Sequence, residues 1–238
     1  MKKAIILGAS SGIGAALAGL LVADDYTVAI TGRRELLLKN IQKNNPEKIL
    51  YKTFDVRDTV NLGNTLDELV TELDGCNLFI ISAGTGDINE DLNFEIEKVI
   101  IDTNVSGFTC AADWAFRYFQ QQGHGHIAGI SSVAGIRGYR GAPAYNATKA
   151  YQINYMEGLR QKACKINLPI TVTDLRPGFV NTKMAKDGGQ FWVSSPEKAS
   201  LQIYRAIKRK KKVAYITRRW WLIGSILKVL PSCIYERM

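Results

Sequence analysis

The chain predicts an α/β fold of the doubly wound kind: one mainly parallel sheet with helices on both faces. Three observations carry that expectation. Seven short runs of β-branched and apolar residues occur at 4–7, 27–30, 49–54, 77–82, 126–131, 170–175 and 212–217. Most are separated by roughly 15–30 residues of helical character, the spacing of βα repetition. The first run leads straight through a glycine-rich turn into a helical stretch, "LGASSGIGAALAGLLVA".

With 238 residues, 46% hydrophobic and 22% charged, the chain can bury a substantial core within one domain. No linker interrupts it before residue 183, and "KRKKK" is its one low-complexity tract. The net charge of +9 is unevenly placed: residues 205–238 carry ten basic side chains and one acid, so the rest of the chain is balanced. A neutral body over 1–204 followed by a basic, tryptophan-containing end argues against nucleic acid and for a local docking role of that end; the domain itself is expected over 1–217, with a basic, apolar tail over 218–238. Cys76, Cys110, Cys164 and Cys233 are scattered without a CxxC pair. They suggest neither zinc nor a disulfide framework and fit a reducing cytoplasm. His124 and His126 flank Gly125 with no acidic or cysteine cluster nearby and read as a surface turn, so no metal is expected.

Taken in order, the elements justify themselves. The N-terminal apolar run is about five residues, short of the ~7–15 of a signal sequence, and reads as a strand. Gly8, Gly12 and Gly14 follow in the spacing GxxxGxG. Glycines there permit a tight turn and let backbone N–H groups approach a pyrophosphate at a helix N-terminus, which points to a dinucleotide. The second strand ends "TGRRE". An acid about 20 residues past the glycines would bind a ribose 2′-hydroxyl, whereas Arg33 and Arg34 suit a 2′-phosphate. Residues 91–122 and 143–165 are the longest helical candidates. In the second, Tyr145 and Lys149 stand four apart on one face, where the ammonium would favour the phenolate and lower a pKa that is normally about 10; packing of the ring on the lysine stem is the plainer reading. The segment 183–195, with Gly188-Gly189 and Phe191-Trp192, breaks the rhythm and reads either as a flap over the substrate or as a loop whose aromatics plug the core. Ser195 then caps a helix that starts at Pro196.

These motifs and their order resemble the short-chain dehydrogenase/reductase family: GxxxGxG, Asp55-Val56, Ala83-Gly84, Asn104, "ISSVAG", "YNATK" and "RPGFVNT". The resemblance spans residues ~3–215 and implies a single-domain, Rossmann-like, seven-stranded sheet over 1–217 that binds NAD(H) or NADP(H). It implies Tyr145 as general acid/base, Lys149 as its assistant, Ser132 as the polariser of the substrate carbonyl and Asn104 as support for a proton relay. Ser131 is the alternative within "SS"; the thirteen-residue offset to the tyrosine favours Ser132. The implied cofactor contacts are Gly8, Ser10, Ser11, Gly12, Ile13 and Gly14 at the first turn, and Arg33 and Arg34 at the second strand. Asp55, Val56, Ala83 and Gly84 follow at the next two strand ends. Tyr145 and Lys149 hold the nicotinamide ribose, with Pro177, Gly178, Val180 and Thr182 beneath the nicotinamide. Two departures, Leu7 for a usual threonine and Ser82 for a usual asparagine, put the rigidity of the loops in doubt.

The implied reaction is hydride exchange between NADP(H), favoured over NAD(H), and a small carbonyl or alcohol substrate. The linker 134–144, with Arg137, Tyr139 and Arg140, and the flap are candidates to line its pocket. A protein that senses the cofactor without turnover is the competing class, but it would need no proton relay. The family also implies a homodimer or homotetramer through 91–122 and 143–165. The tail carries an apolar run from Trp220 to Leu230 which, as a helix of ~16 Å, cannot cross a ~30 Å hydrocarbon core. It either packs on the protein or attaches peripherally to anionic lipid through 218–231, making the enzyme cytoplasmic or membrane-peripheral with a lipid-like substrate.

Overall fold

The computed structural model describes residues 2–182 and 191–237; residues 183–190, most of the expected flap, lie outside the described residues. Seven strands form one parallel sheet in the order β3-β2-β1-β4-β5-β6-β7. They are β1 (Lys2–Leu7), β2 (Tyr26–Gly32), β3 (Ile49–Thr53), β4 (Leu78–Ile81), β5 (Gly125–Ile130), β6 (Ile170–Pro177) and β7 (Val213–Ile216). Each coincides with one of the seven apolar runs within a few residues.

Among the described residues the α-helices are α1 (Gly12–Ala23), α2 (Glu35–Gln42), α3 (Leu62–Leu73), α4 (Phe94–Ile101), α5 (Phe108–Gln122), α6 (Pro143–Lys165), α7 (Pro196–Lys208), α8 (Trp220–Val229) and α9 (Ser232–Tyr235). Successive side chains on a strand point to opposite faces, and β1 shows this directly. Ile6 packs with Leu17 and Leu21 of α1, Leu38 of α2 and Ile203 of α7. Ile5 and Leu7 pack with Leu66 of α3, Phe108 of α5 and Met156 of α6. Both faces are therefore buried, which is why the strands read as continuous apolar runs instead of alternating ones.

Two features differ from the sequence expectation. The helix expected over 91–122 is α4 and α5 joined by a π-helical turn at Asp102–Gly107. The expected surface turn at His124–His126 holds for His124 alone: His126 pairs with Leu78 at the start of β5, is 8% exposed and hydrogen-bonds Thr173 Oγ1 through Nε2 at 2.8 Å. The Ser195 hydroxyl accepts from the N–H of Lys198, capping α7 as its sequence indicates.

Strand order reverses beside β1, whose neighbours are β2 and β4. The chain leaves the C-terminal ends of β1 and β4 toward opposite faces there and opens a crevice, the place where doubly wound sheets bind ligands.

Candidate active site

The glycine turn after β1 is built for close approach. Gly8 has φ +82°, and a Cβ on it would lie 2.5 Å from Ala83 Cα and N at the end of β4. A Cβ on Gly14 would lie 2.2 Å from the Gly8 carbonyl oxygen. Neither position accepts a larger residue, and the bare backbone they leave is a cradle at the N-terminus of α1. Backbone hydrogen bonds tie the turn at Leu7 and Ser82. The Thr31 carbonyl of β2 accepts from Gly8 N at 3.1 Å and Ala9 N at 2.8 Å, and Ser82 N donates to the Leu7 carbonyl at 2.9 Å. Across the crevice the Thr182 methyl comes within 3.2 Å of where a Gly12 Cβ would be, and the Ser200 hydroxyl donates to the Ile13 carbonyl at 3.1 Å.

Arg34 folds back over this turn. Its Nη2 donates to Ser10 Oγ at 2.8 Å and to Ser11 Oγ at 2.7 Å. Arg33 lies 3.7 Å from Asp55, whose carboxylate is held more closely by Arg57 at 2.6 Å. Burial would raise the Asp55 carboxyl, but the Arg57 hydrogen bonds and the charges of Arg57 and Arg33 prevail and hold it below the usual carboxylate range. Val56 abuts the π-helical turn, its carbonyl facing Gly107.

Beside the cradle, β5 ends in the two serines. Ser131 is spent internally: its hydroxyl donates to Asp174 Oδ1 at 2.5 Å, in a buried network where Asp174 pairs with Arg176 at 2.7 Å. Ser132 points the other way. Its Oγ accepts from Ala134 N at 3.1 Å and donates to the Pro177 carbonyl at 3.3 Å, and it lies near enough to the Tyr145 phenol to favour the phenolate. Pro143 opens α6, which puts Tyr145 in its first turn and Lys149 one turn deeper. Lys149 is 4% exposed and donates to the Ile130 carbonyl at 3.0 Å and to Gln152 Oε1 at 2.9 Å. Asn104 sits in the π-helical turn, fully buried; its side chain clamps Thr85 through N at 2.9 Å and O at 2.7 Å and reaches Thr148 Oγ1 at 3.1 Å.

The phenol's acidity corrects the sequence expectation. Burial pushes the Tyr145 pKa up, with the nearby Ser132 hydroxyl opposing, so at neutral pH the phenol keeps its proton. Lys149 lies 5.8 Å from the ring centroid. Burial draws its own pKa down to about 8, against the opposing charge of Asp174. The site thus holds a protonated phenol and an ammonium that is itself near titration.

Several neighbours carry no sequence signal. A Cβ on Gly86 would meet the Tyr145 ring at 2.5 Å, and one on Gly135 would meet the Lys149 backbone at 2.6 Å, so both glycines let the face of α6 that carries Tyr145 and Lys149 be approached closely. Arg137 does not face Tyr145: its Nη1 donates to the Leu230 carbonyl at 3.2 Å, and its guanidinium stacks 4.5 Å from the Tyr235 ring centroid. With Tyr139 and Arg140 it borders a cleft of about 530 Å³ on the Ala147–Ala150 side of α6, and neither Ser132 nor Tyr145 lines that cleft. Phe179, Phe191, Trp192 and Trp220 form a contiguous aromatic cluster over Gly178.

A parallel sheet with this strand order and a glycine cradle at its switch point is the Rossmann-like, doubly wound class, whose switch point is a dinucleotide site. Within that class, the sequence profile described as short chain dehydrogenase matches residues 2–191, and the chain belongs to that family. An oxidoreductase of Mycobacterium tuberculosis, described as uncharacterized, is 30% identical over 248 residues, covering 99% of this chain and 96% of its own. Two solved structures share the fold. A short-chain dehydrogenase from Streptomyces avermitilis superposes with a TM-score of 0.83 at 22% identity, over 99% of this chain and 94% of its own. ElxO with NADP bound gives 0.81 at 21% identity, over 93% and 99%.

Proposed function

We propose that this oxidoreductase uses NADP(H) to interconvert a carbonyl and an alcohol on a small molecule. The observation that carries the reading is the convergence of Ser132, Tyr145 and Lys149 at one end of α6, beside the glycine cradle. The cradle residues fit a dinucleotide, because Gly8 and Gly14 leave no room for a side chain and expose backbone N–H groups at the start of α1. Arg33 and Arg34 favour a 2′-phosphate: among the described residues Arg34 is bonded to the Ser10 and Ser11 hydroxyls and to no carboxylate, at the cradle's edge. The bound nicotinamide supplies or takes the hydride.

The protein's own share of a reduction is proton and charge handling. Ser132 donates to the substrate oxygen as negative charge develops there. Tyr145 gives that oxygen its proton, and the phenolate left behind is stabilised by the Lys149 ammonium and the Ser132 hydroxyl. In the oxidative direction the same atoms act in reverse. The apolar face between α4 and α6, with Val99 and Ile101 exposed, supports assembly with further copies of the chain.

Tyr145→Phe keeps the ring against Gly86 and removes the transferable proton. NADPH should still bind, while its oxidation by a panel of small aldehydes and ketones falls by about 10²-fold or more. Turnover within a few-fold of wild type would refute the proton path, and no turnover by wild type would favour a cofactor-sensing protein. For cofactor choice, Arg33→Ala and Arg34→Ala should each weaken NADPH by about 1.5–3 kcal/mol per charged hydrogen bond lost and leave NADH nearly unchanged. Equal losses for both cofactors in a fluorescence titration would rule out a 2′-phosphate clamp.

A further inference from the structure

Gln152 lies one turn beyond Lys149 on the same face of α6, and none of its surface reaches solvent. A buried primary amide is costly unless both of its ends are satisfied. Both are: Oε1 accepts from Lys149 Nζ at 2.9 Å, and Nε2 donates to the Asn104 carbonyl at 2.9 Å. That carbonyl belongs to the π-helical turn between α4 and α5, and wide turns of this kind recur at functional sites. Gln152 therefore spans three elements' worth of the site: the ammonium, the helix that carries it and the turn that carries Asn104.

We propose that Gln152 is a positioning residue for the reaction assigned above, a strut that fixes the Lys149 ammonium and ties it to Asn104. The inference rests on Lys149 serving Tyr145. Of the ammonium's three donors, one is held by the Ile130 carbonyl of β5 and one by Gln152, which aims the third toward the crevice, where a Cβ on Gly84 would lie 3.5 Å from Nζ. A neutral amide neither gives up nor takes a proton near pH 7. The link from Asn104 to Lys149 is thus orientational, and its support of the relay passes through a fixed side chain.

The amide oxygen also stabilises the charged form of Lys149 where burial opposes it. The charged groups acting on that ammonium are few. Asp174 of β6 is the carboxylate that favours it, itself paired with Arg176 and facing Arg160 of α6. Tyr145 is the neighbouring phenol, and Asp102 of the π-helical turn is paired at the surface with Lys98 of α4.

The test is a titration of the full chain, labelled with ¹³Cε-lysine and followed by NMR, with the Lys149 signal assigned from Lys149→Arg. Gln152→Leu removes both hydrogen bonds at similar volume, and the Lys149 midpoint should fall by about one pH unit or more. Gln152→Glu keeps an acceptor against Nζ but opposes the Asn104 carbonyl, so the midpoint should stand at or above that of wild type. In both variants, amide hydrogen exchange at residues 102–107 should quicken. A folded Gln152→Leu protein whose midpoint stays within about 0.3 units of wild type overturns the proposal. So does an equal fall in both variants, which would indicate disturbed packing instead of a lost acceptor. Should the leucine variant fail to fold, Gln152→Met offers the same test with an unbranched chain. None of these readouts needs turnover, so a failure of the proposed reaction is seen separately, in the NADPH assay of the wild type.

Discussion

His126 shows how one buried side chain can set the acid tolerance of the fold. Burial lowers its pKa from 6.5 to about 4, with the charge of Lys210 adding to the effect. Below pH 6.5 the unfolded chain takes up a proton that the folded imidazole refuses, so stability is lost as pH falls from 6.5 toward 4 and the loss levels off below. Two and a half units correspond to about 3 kcal/mol. His126→Gln keeps a partner for Thr173 and removes the titration. In urea melts between pH 7 and 4, wild type should lose about 3 kcal/mol more than the variant; parallel losses would place the acid sensitivity elsewhere. The sequence concealed this residue because a glycine on either side of His124 reads as a turn, whereas the burial of His126 comes from β4 and β6 pairing on either side of β5. Ser131 and Ser132 are the contrary case. Their spacing to Tyr145 distinguished them, and the geometry separates them too, Ser131 turning into the Asp174 network and Ser132 toward the phenol. Gln152 and Gly86 gave no sign, since their roles arise only where α6 meets other parts of the chain.

At the level of elements, sequence periodicity reports what is local and misses what is tertiary. All seven strands were legible because each is buried on both faces by the helices that flank it, leaving an uninterrupted apolar run. The π-helical turn was not, since Asp102–Gly107 carries no proline and its glycine comes last, so nothing local marks the widened turn. Helix α1 contains both kinds of information in two glycines. Gly14 is required by contact: a Cβ there would lie 2.2 Å from the Gly8 carbonyl oxygen, a backbone atom that cannot yield. Gly19, on the exposed side of the same helix, would meet nothing within 4 Å. Gly19→Ala should therefore stabilise the protein by about 0.5–1 kcal/mol through helix propensity alone. Gly14→Ala should destabilise it, by about 1–3 kcal/mol for an overpacked site, and weaken NADPH binding at least tenfold. Thermal melts and a fluorescence titration read both, and a Gly14→Ala protein with unaltered cofactor affinity would show that the cradle is not the cofactor's seat.

At the scale of the whole molecule, the question is whether the basic tail serves the catalytic body or a surface outside it. Among the described residues no helix is long and apolar enough to cross a membrane. Of the charges that suggested lipid, Arg218 and Arg219 adjoin the tryptophans and are exposed, whereas the Lys208–Lys212 cluster lies away from them. Lys208–Lys212 precede β7 and Trp220-Trp221 follow it, at opposite ends of a strand about 13 Å long. Trp220 is 4% exposed and lies flat on Gly178, where a Cβ would meet its ring at 2.0 Å. Gly224 packs against Ile136 and Tyr215, Arg137 holds the Leu230 carbonyl, and the Tyr235 hydroxyl donates to the Gly138 carbonyl. The tail is thus fastened to both segments that flank the candidate site, the turn after Ser132 and the loop after Pro177. Trp221, Leu222, Ile226 and Val229 of α8 remain exposed on its outer side. Removing 218–238 strips a tryptophan from the core, a loss of about 3–5 kcal/mol by comparison with large-to-small core substitutions, and frees Gly178 beneath the expected nicotinamide site. The truncated protein should melt at a lower temperature and oxidise NADPH with a small carbonyl at least tenfold more slowly, while the full chain does not sediment with anionic liposomes at low salt. Liposome binding by the full chain that is lost on truncation, with stability and turnover intact, would reverse this reading and give the tail to a membrane surface.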